Sequence, residues 1–133
     1  DVDTSPIGDP VGLVSTVNRL DFPTSKLDLA KSILDRMAVP YVTGRVASGD
    51  AFMVKGERAD WVARTFSPTL CEMEGCAVAQ VCLRNGVNFM ALKSVSDRLC
   101  MENSPGEYFN FGEDMERLNK IVLPFAQALR DAQ

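Results

Sequence analysis

The most informative absence in these 133 residues is histidine, of which there is none. Without an imidazole the chain cannot build a Ser-His-Asp or Cys-His nucleophile, a histidine metal ligand or a histidine proton shuttle. Any acid–base chemistry therefore falls to carboxylates, with Lys, Tyr or Cys as less suited substitutes. A Cys-x-x-Cys pair is also missing. Cys71, Cys76, Cys82 and Cys100 are separated by four, five and seventeen residues, which argues against a zinc ribbon or a thioredoxin-like site. Three of the four lie in apolar periodic segments, where a free cysteine behaves as a small hydrophobe, so reduced thiols are expected. Lys/Arg clusters are lacking too: 14 basic residues are dispersed among 18 acidic ones, for a net charge of −4. That balance argues against nucleic acid or an anionic membrane as partner. No apolar run approaches the ~20 residues that span a bilayer, and no signal-peptide pattern opens the chain. A soluble, cytoplasmic protein is expected. Residue 1 is Asp rather than Met, so the chain is expected to be a processed product or a piece of something longer.

What is present is globular. A hydrophobic fraction of 46% with 24% charged residues suits one folded domain that buries roughly two-thirds of its unfolded surface. Residues 1–24 carry Pro6, Pro10, Pro23, Gly8 and Gly12 and read as loop, with a short extended piece over 12–17. Leu27, Leu29, Ala30, Ile33, Leu34 and Met37 recur at helical spacing, with Thr24 or Ser25 able to cap the start and Pro40 stopping the helix. Residues 40–48 read as a strand, 57–66 as a short helix, 68–72 as a brief strand, and 75–84 as a helix stopped by Asn85-Gly86. Residues 87–95 form a nearly continuous apolar run that suits a buried parallel strand. Met115, Leu118, Val122, Phe125 and Leu129 make a final amphipathic helix, which Pro124 should kink or divide.

Alternating helices and strands indicate an α/β fold with a largely parallel sheet. Three good strands are too few for a self-sufficient doubly wound sheet, so half a domain is a serious expectation.

In open α/β sheets ligands bind beyond the carboxyl ends of the strands. Three acidic clusters follow the three strands: Asp50 in Ser48-Gly49-Asp50, the pair Glu72 and Glu74 around Met73, and Asp97 after Ser96. Each has a structural alternative. Asp50 after a glycine suits a turn or cap, and Asp97 suits a cap of the next segment. One glutamate near a helix N-terminus is expected from the helix dipole alone, whereas two bordered by apolar residues are harder to dismiss. On an extended stretch Glu72 and Glu74 would share one face and Met73 the other. The aromatic loop with Tyr108, Phe109 and Phe111 suits core packing as well as a ligand lid.

The strings Ala47-Ser48-Gly49-Asp50-Ala51-Phe52-Met53, Glu72-Met73-Glu74-Gly75 and Val95-Ser96-Asp97, in this order and spacing, resemble the nucleoside phosphorylase/nucleosidase superfamily. Within it the likeness is to the 5′-methylthioadenosine/S-adenosylhomocysteine nucleosidases. The opening Asp1-Val2-Asp3-Thr4-Ser5-Pro6 resembles a mid-chain loop of that family bordering the active site near the subunit interface, which is how residues 1–24 are read. The resemblance covers nearly the whole chain, but only the C-terminal half or slightly more of a family member. It implies a three-layer αβα fold with a mixed, mostly parallel sheet, of which residues 1–133 form the C-terminal part of one domain.

By the same resemblance Phe52 would stack on a purine and the main chain of Met53 would bond its edge. Met73 and Glu74 would hold the ribose, with Glu72 supporting the strand end. Asp97, with Ser96 beside it, would be the acid to the purine N7. Tyr108 or Phe109 would line the pocket for the 5′ substituent. The implied substrate is a small-molecule nucleoside, with no cofactor and no metal. The implied partners are an N-terminal half of the same protein as a separate chain and a homodimer of the completed unit. Two departures stand out. Lys93 occupies a place where the family usually has Arg, three residues before the Ser-Asp pair, which loses the forked geometry of a guanidinium. The family's water-activating glutamate and its phosphorylases' phosphate-binding elements lie in the half that this chain lacks. A purine nucleoside phosphorylase, or a non-catalytic nucleoside-binding or storage relative, remain alternatives to the hydrolase.

Overall fold

The computed structural model describes residues 5–14, 17–18, 21–97 and 111–132. After a single 3-10 turn at Ser5–Ile7, the elements run α1 (Leu27–Arg36), β1 (Val46–Ser48), α2 (Glu57–Phe66), β2 (Leu70–Glu72), α3 (Gly75–Arg84) and α4 (Phe111–Asp131). The two strands pair in parallel, with Val46, Ala47 and Ser48 opposite Leu70, Cys71 and Glu72. This register sets Ser48 and Glu72 side by side at the carboxyl end of the sheet, where α3 begins. The approach to the pair is tight. A Cβ on Gly44 would collide with the side chain of Thr69, and just beyond it Thr69 N–H donates to the Arg45 carbonyl at 2.8 Å.

The core lies where α1 crosses α4. Ala30, Ile33 and Leu34, on one stripe of α1, are buried with Phe125 of α4, as the i, i+3, i+4 spacing requires. Met37, Tyr41, Met90, Leu92, Ile121 and Leu129 close around them. Burying a side chain such as Ile33 is worth about 1.5–3 kcal/mol. On the other side of the chain α3 lies against β1 with Ala79 buried, while Trp61 and Phe66 of α2 meet edge to face at 5.6 Å.

Helix ends follow local chemistry. Gly86 takes a left-handed φ of 64°, and Val87 N–H reaches the Cys82 carbonyl at 2.9 Å while Gly86 N–H reaches that of Leu83. These are the two bonds of a Schellman stop for α3. Arg45 donates from Nη1 to the Phe66 carbonyl at 3.0 Å, satisfying one of the orphan acceptors at the end of α2.

Four expectations need correction. The start of α1 is not capped by Thr24 or Ser25: the residue before the helix is Lys26, at φ 56°, and no side chain caps it. Ser25 instead donates its N–H to the Phe89 carbonyl at 2.8 Å. Pro124 does not divide the last helix, which is continuous over Phe111–Asp131. Ile121, Phe125, Ala128 and Leu129 anchor both sides of the proline to the core, and that packing outweighs the one lost backbone bond. The two short strands occupy only the ends of the segments read as strand. Residues 87–95 are not in a ladder at all, because among the described residues no neighbouring strand lies along them.

Candidate functional site

At the carboxyl ends of β1 and β2 the structure brings Ser48, Glu74 and Lys93 together around one carboxylate, Glu72. Its two oxygens accept the Gly75 N–H at 2.9 and 2.8 Å, and Oε2 also accepts the Glu74 N–H at 3.2 Å. Glu72 thereby satisfies donors at the opening of α3 that the helix itself leaves without partners. The same oxygen receives the Lys93 ammonium at 2.6 Å. Ser48 completes the arrangement by donating its hydroxyl to Glu72 and accepting the Cys76 N–H at 3.0 Å. Burial by itself pushes the Glu72 carboxyl up. The donors from Lys93, Ser48, Gly75 and Glu74 outweigh that and hold it below the ordinary glutamate value. A negative charge at a helix N-terminus is favoured by the dipole as well.

Gly75 is the residue that makes room. A Cβ there would stand 2.9 Å from Glu72 Oε1 and 3.1 Å from its Cδ, and this carboxylate cannot swing aside without leaving its donors.

Glu74 contrasts with its neighbour. The chain has left the strand by that point, with φ −123° and ψ −31°, so the two glutamates do not share one extended face as the sequence pattern implied. The Glu72 side chain is 10% exposed and that of Glu74 is 72% exposed. Lys93, at 31%, still reaches both, since its Nζ lies 3.9 Å from Glu74 Oε2. One carboxylate is consumed by structure, and the other faces solvent with only the Lys93 ammonium near it.

The remaining candidates lie at the ends of their segments. Phe52, Met73 and Ser96 are exposed, and Met53 and Asp97 are half-buried. Among the described residues no hydrogen bond or ion pair ties Asp97 or Ser96 to another group. Tyr108 and Phe109 lie outside the described residues. A cleft of about 2160 Å³ opens beside the strand ends and reaches Ser48, Asp50, Met73 and Lys93, well above the roughly 300–1,000 Å³ of a small-molecule pocket. Ser48 was part of a recognisable string in the sequence, but its double role was not legible. The signal for it is the parallel register that sets it opposite Glu72. Among the described residues no group of three or more Cys, Asp and Glu is placed to hold a metal ion, and no helix is long and apolar enough to cross a membrane.

Several known proteins resemble this chain. An aminodeoxyfutalosine nucleosidase of Helicobacter pylori is 35% identical over 132 residues, which is 98% of this chain and 56% of that protein. A 5′-methylthioadenosine/S-adenosylhomocysteine nucleosidase of Shewanella halifaxensis is 35% identical over 101 residues, 73% of this chain and 44% of the relative. Among solved structures, the Campylobacter jejuni 5′-methylthioadenosine/S-adenosylhomocysteine nucleosidase superposes with a TM-score of 0.84 at 26% identity, covering 100% of this chain and 57% of that one. The futalosine hydrolase of Helicobacter pylori does so with a TM-score of 0.82 at 28% identity, covering 100% and 55%. The chain thus spans about half the length of the relatives that it matches. Its α/β fold is that of these nucleosidases, and the family model described as "Phosphorylase superfamily" matches residues 3–129: the chain belongs to the phosphorylase superfamily.

Proposed function

We propose that this chain supplies the base- and ribose-holding part of a purine nucleosidase that hydrolyses the N-glycosidic bond of 5′-methylthioadenosine or S-adenosylhomocysteine. The observation that carries the reading is the contrast between Glu72, used up by donors, and Glu74, solvent-facing and 3.9 Å from the Lys93 ammonium. Nucleosidases named for these substrates are among the relatives.

In this reading Phe52 stacks on the purine, the Met53 main chain bonds its edge, and Met73 and Glu74 hold the ribose. Tyr108 and Phe109 are assigned to the 5′ substituent by family likeness alone. As the C1′–N9 bond breaks, its electron pair goes to the purine, and Asp97, assisted by Ser96, delivers a proton to N7. Water adds to C1′ and loses a proton to a general base. Positive charge builds on the sugar meanwhile, and carboxylates near it lower the barrier. Among the residues read as site, Glu74 is committed to the ribose and Asp97 to the purine. By family likeness alone, the general base is assigned to an N-terminal half of the same domain outside this chain, with the completed unit a homodimer.

A second substrate reading, aminodeoxyfutalosine, is favoured by the Helicobacter relative, whose match extends over 98% of the chain. Purine release from each nucleoside by the completed protein decides between them. The isolated chain is expected to release purine at background rate, and robust release would overturn the need for an outside base. In the completed protein Asp97→Asn should lower kcat by about 100-fold or more; unchanged release would remove Asp97 from the mechanism.

A further inference from the structure

We infer that Ser48 is a positioning residue whose hydroxyl, through the Glu72 carboxylate, couples the purine-holding turn after β1 to the ribose-holding turn after β2. Phe52 and Glu74 take their roles here from the functional reading above, whereas the joint between their turns is geometric.

Ser48 and Glu72 are register partners, and each is the last residue of its strand. The turn that carries Phe52 follows Ser48, and Met73 and Glu74 follow Glu72. The two turns are fastened to each other at residue 72. Its carbonyl accepts the Gly49 N–H at 3.1 Å, which fixes the first peptide after β1. Its carboxylate accepts the N–H groups of Glu74 and Gly75, which fix the peptides on either side of Glu74. Ser48 locks that carboxylate to β1. Its hydroxyl donates to Glu72 and accepts the Cys76 N–H at 3.0 Å, so β1, β2 and the first turn of α3 share one half-buried oxygen. Lys93 grips the same carboxylate from another segment and does not tie it to β1.

Serine has the chemistry that this joint needs. A hydroxyl carries one donor and two lone pairs, so it gives to a carboxylate and takes from an amide at once. Alanine does neither, and aspartate would set a second negative charge against Glu72. Threonine keeps both functions and suits a strand.

A nucleoside spans both turns, and its two halves help each other bind only while the turns keep one spacing. A free base meets the first turn alone. Loosening the joint therefore penalises the ligand that reaches both turns and spares the one that does not. A hydrogen bond serving stability alone has no such selectivity.

The test is calorimetric binding to the completed protein of 9-deazaadenine and of its ribonucleoside, 9-deazaadenosine, whose glycosidic carbon–carbon bond water does not cleave. Ser48→Ala should weaken the nucleoside about tenfold and leave the base within about twofold. Ser48→Thr should restore nucleoside binding. Hydrogen exchange at the Cys76 amide should quicken in Ser48→Ala and not in Ser48→Thr. If Ser48→Ala fails to fold by circular dichroism, Ser48→Cys serves instead with the same expected pattern, since a thiol is a weak donor and a weak acceptor. Equal weakening of both probes, weakening of neither, or a threonine variant as impaired as the alanine one overturns the inference. So does unchanged exchange at Cys76. Each of these leaves the functional reading standing as long as the wild type binds 9-deazaadenosine. A wild type that does not bind it sinks that reading and the coupling with it.

Discussion

Replacing Lys93 by Met isolates the ion pair at the centre of the site. The methionine keeps the length and apolar stem of the side chain while deleting the ammonium 2.6 Å from Glu72. Exposed ion pairs contribute about 0–1 kcal/mol, and breaking a fully buried pair costs about 3–5 kcal/mol. With the Glu72 side chain 10% and the Lys93 side chain 31% exposed, this pair belongs between those limits. Its loss does not orphan Glu72, which keeps its donors from Ser48, Gly75 and Glu74. A destabilisation of about 1–2 kcal/mol follows, near the lower part of the range for a hydrogen bond to a charged group. Urea unfolding at pH 7 of wild type, Lys93→Met, Glu72→Gln and the double variant measures it, with a coupling of about 1 kcal/mol expected from the cycle. Acid supplies a second reading. The folded Glu72 carboxyl lies below its ordinary value, so its contribution is complete above about pH 4.5 and disappears as pH falls through the depressed folded value. The stability gap between wild type and Glu72→Gln should therefore narrow on acidification. In the Lys93→Met background, with the lysine donor gone, it should narrow at higher pH. A coupling below about 0.3 kcal/mol, or a gap that widens in acid, would refute the reasoning.

Further perturbations probe other parts of the fold. Gly75→Ala brings a Cβ to 2.9 Å from Glu72 Oε1 and should destabilise by about 1–3 kcal/mol in the same unfolding assay, with little further loss when Lys93→Met is added. Ile33→Ala, at the most buried side chain of the α1–α4 core, should cost about 2–5 kcal/mol by thermal or urea unfolding. Burial pushes the Cys71 thiol up from its ordinary value, so iodoacetamide at pH 8 should modify it more slowly in the folded chain than in urea. Equal rates, followed by peptide mass spectrometry, would contradict that placement.

The parts of the fold that could be read from sequence were those governed by short-range chemistry. The helices over 57–66 and 75–84 match their sequence bounds because Asn85-Gly86 and the apolar stripes act within one or two turns. Lys26 was not readable in this way: its left-handed φ accompanies the bond of the preceding Ser25 to Phe89, more than sixty residues away in sequence. The run 87–95 shows the opposite failure. Its composition specifies a buried strand, but a strand also needs a neighbour, and composition does not say which chain provides one. At the site, the acidic clusters after the strands were visible as clusters. The split between Glu72 as an anchor and Glu74 as an open acceptor depends on the Ser48–Glu72 register and on where the chain turns into α3, neither of which is written in the motif itself.

The close fit of Gly75 to the Glu72 carboxylate has an evolutionary consequence. Any side chain at 75 must displace the carboxylate from the start of α3, and a carboxylate lost at 72 leaves the backbone donors there without their acceptor. The two positions should therefore drift together or not at all. Met73 and Glu74, both exposed, are freer to change, so a lineage could alter the surface at the strand ends while the joint beneath stays the same.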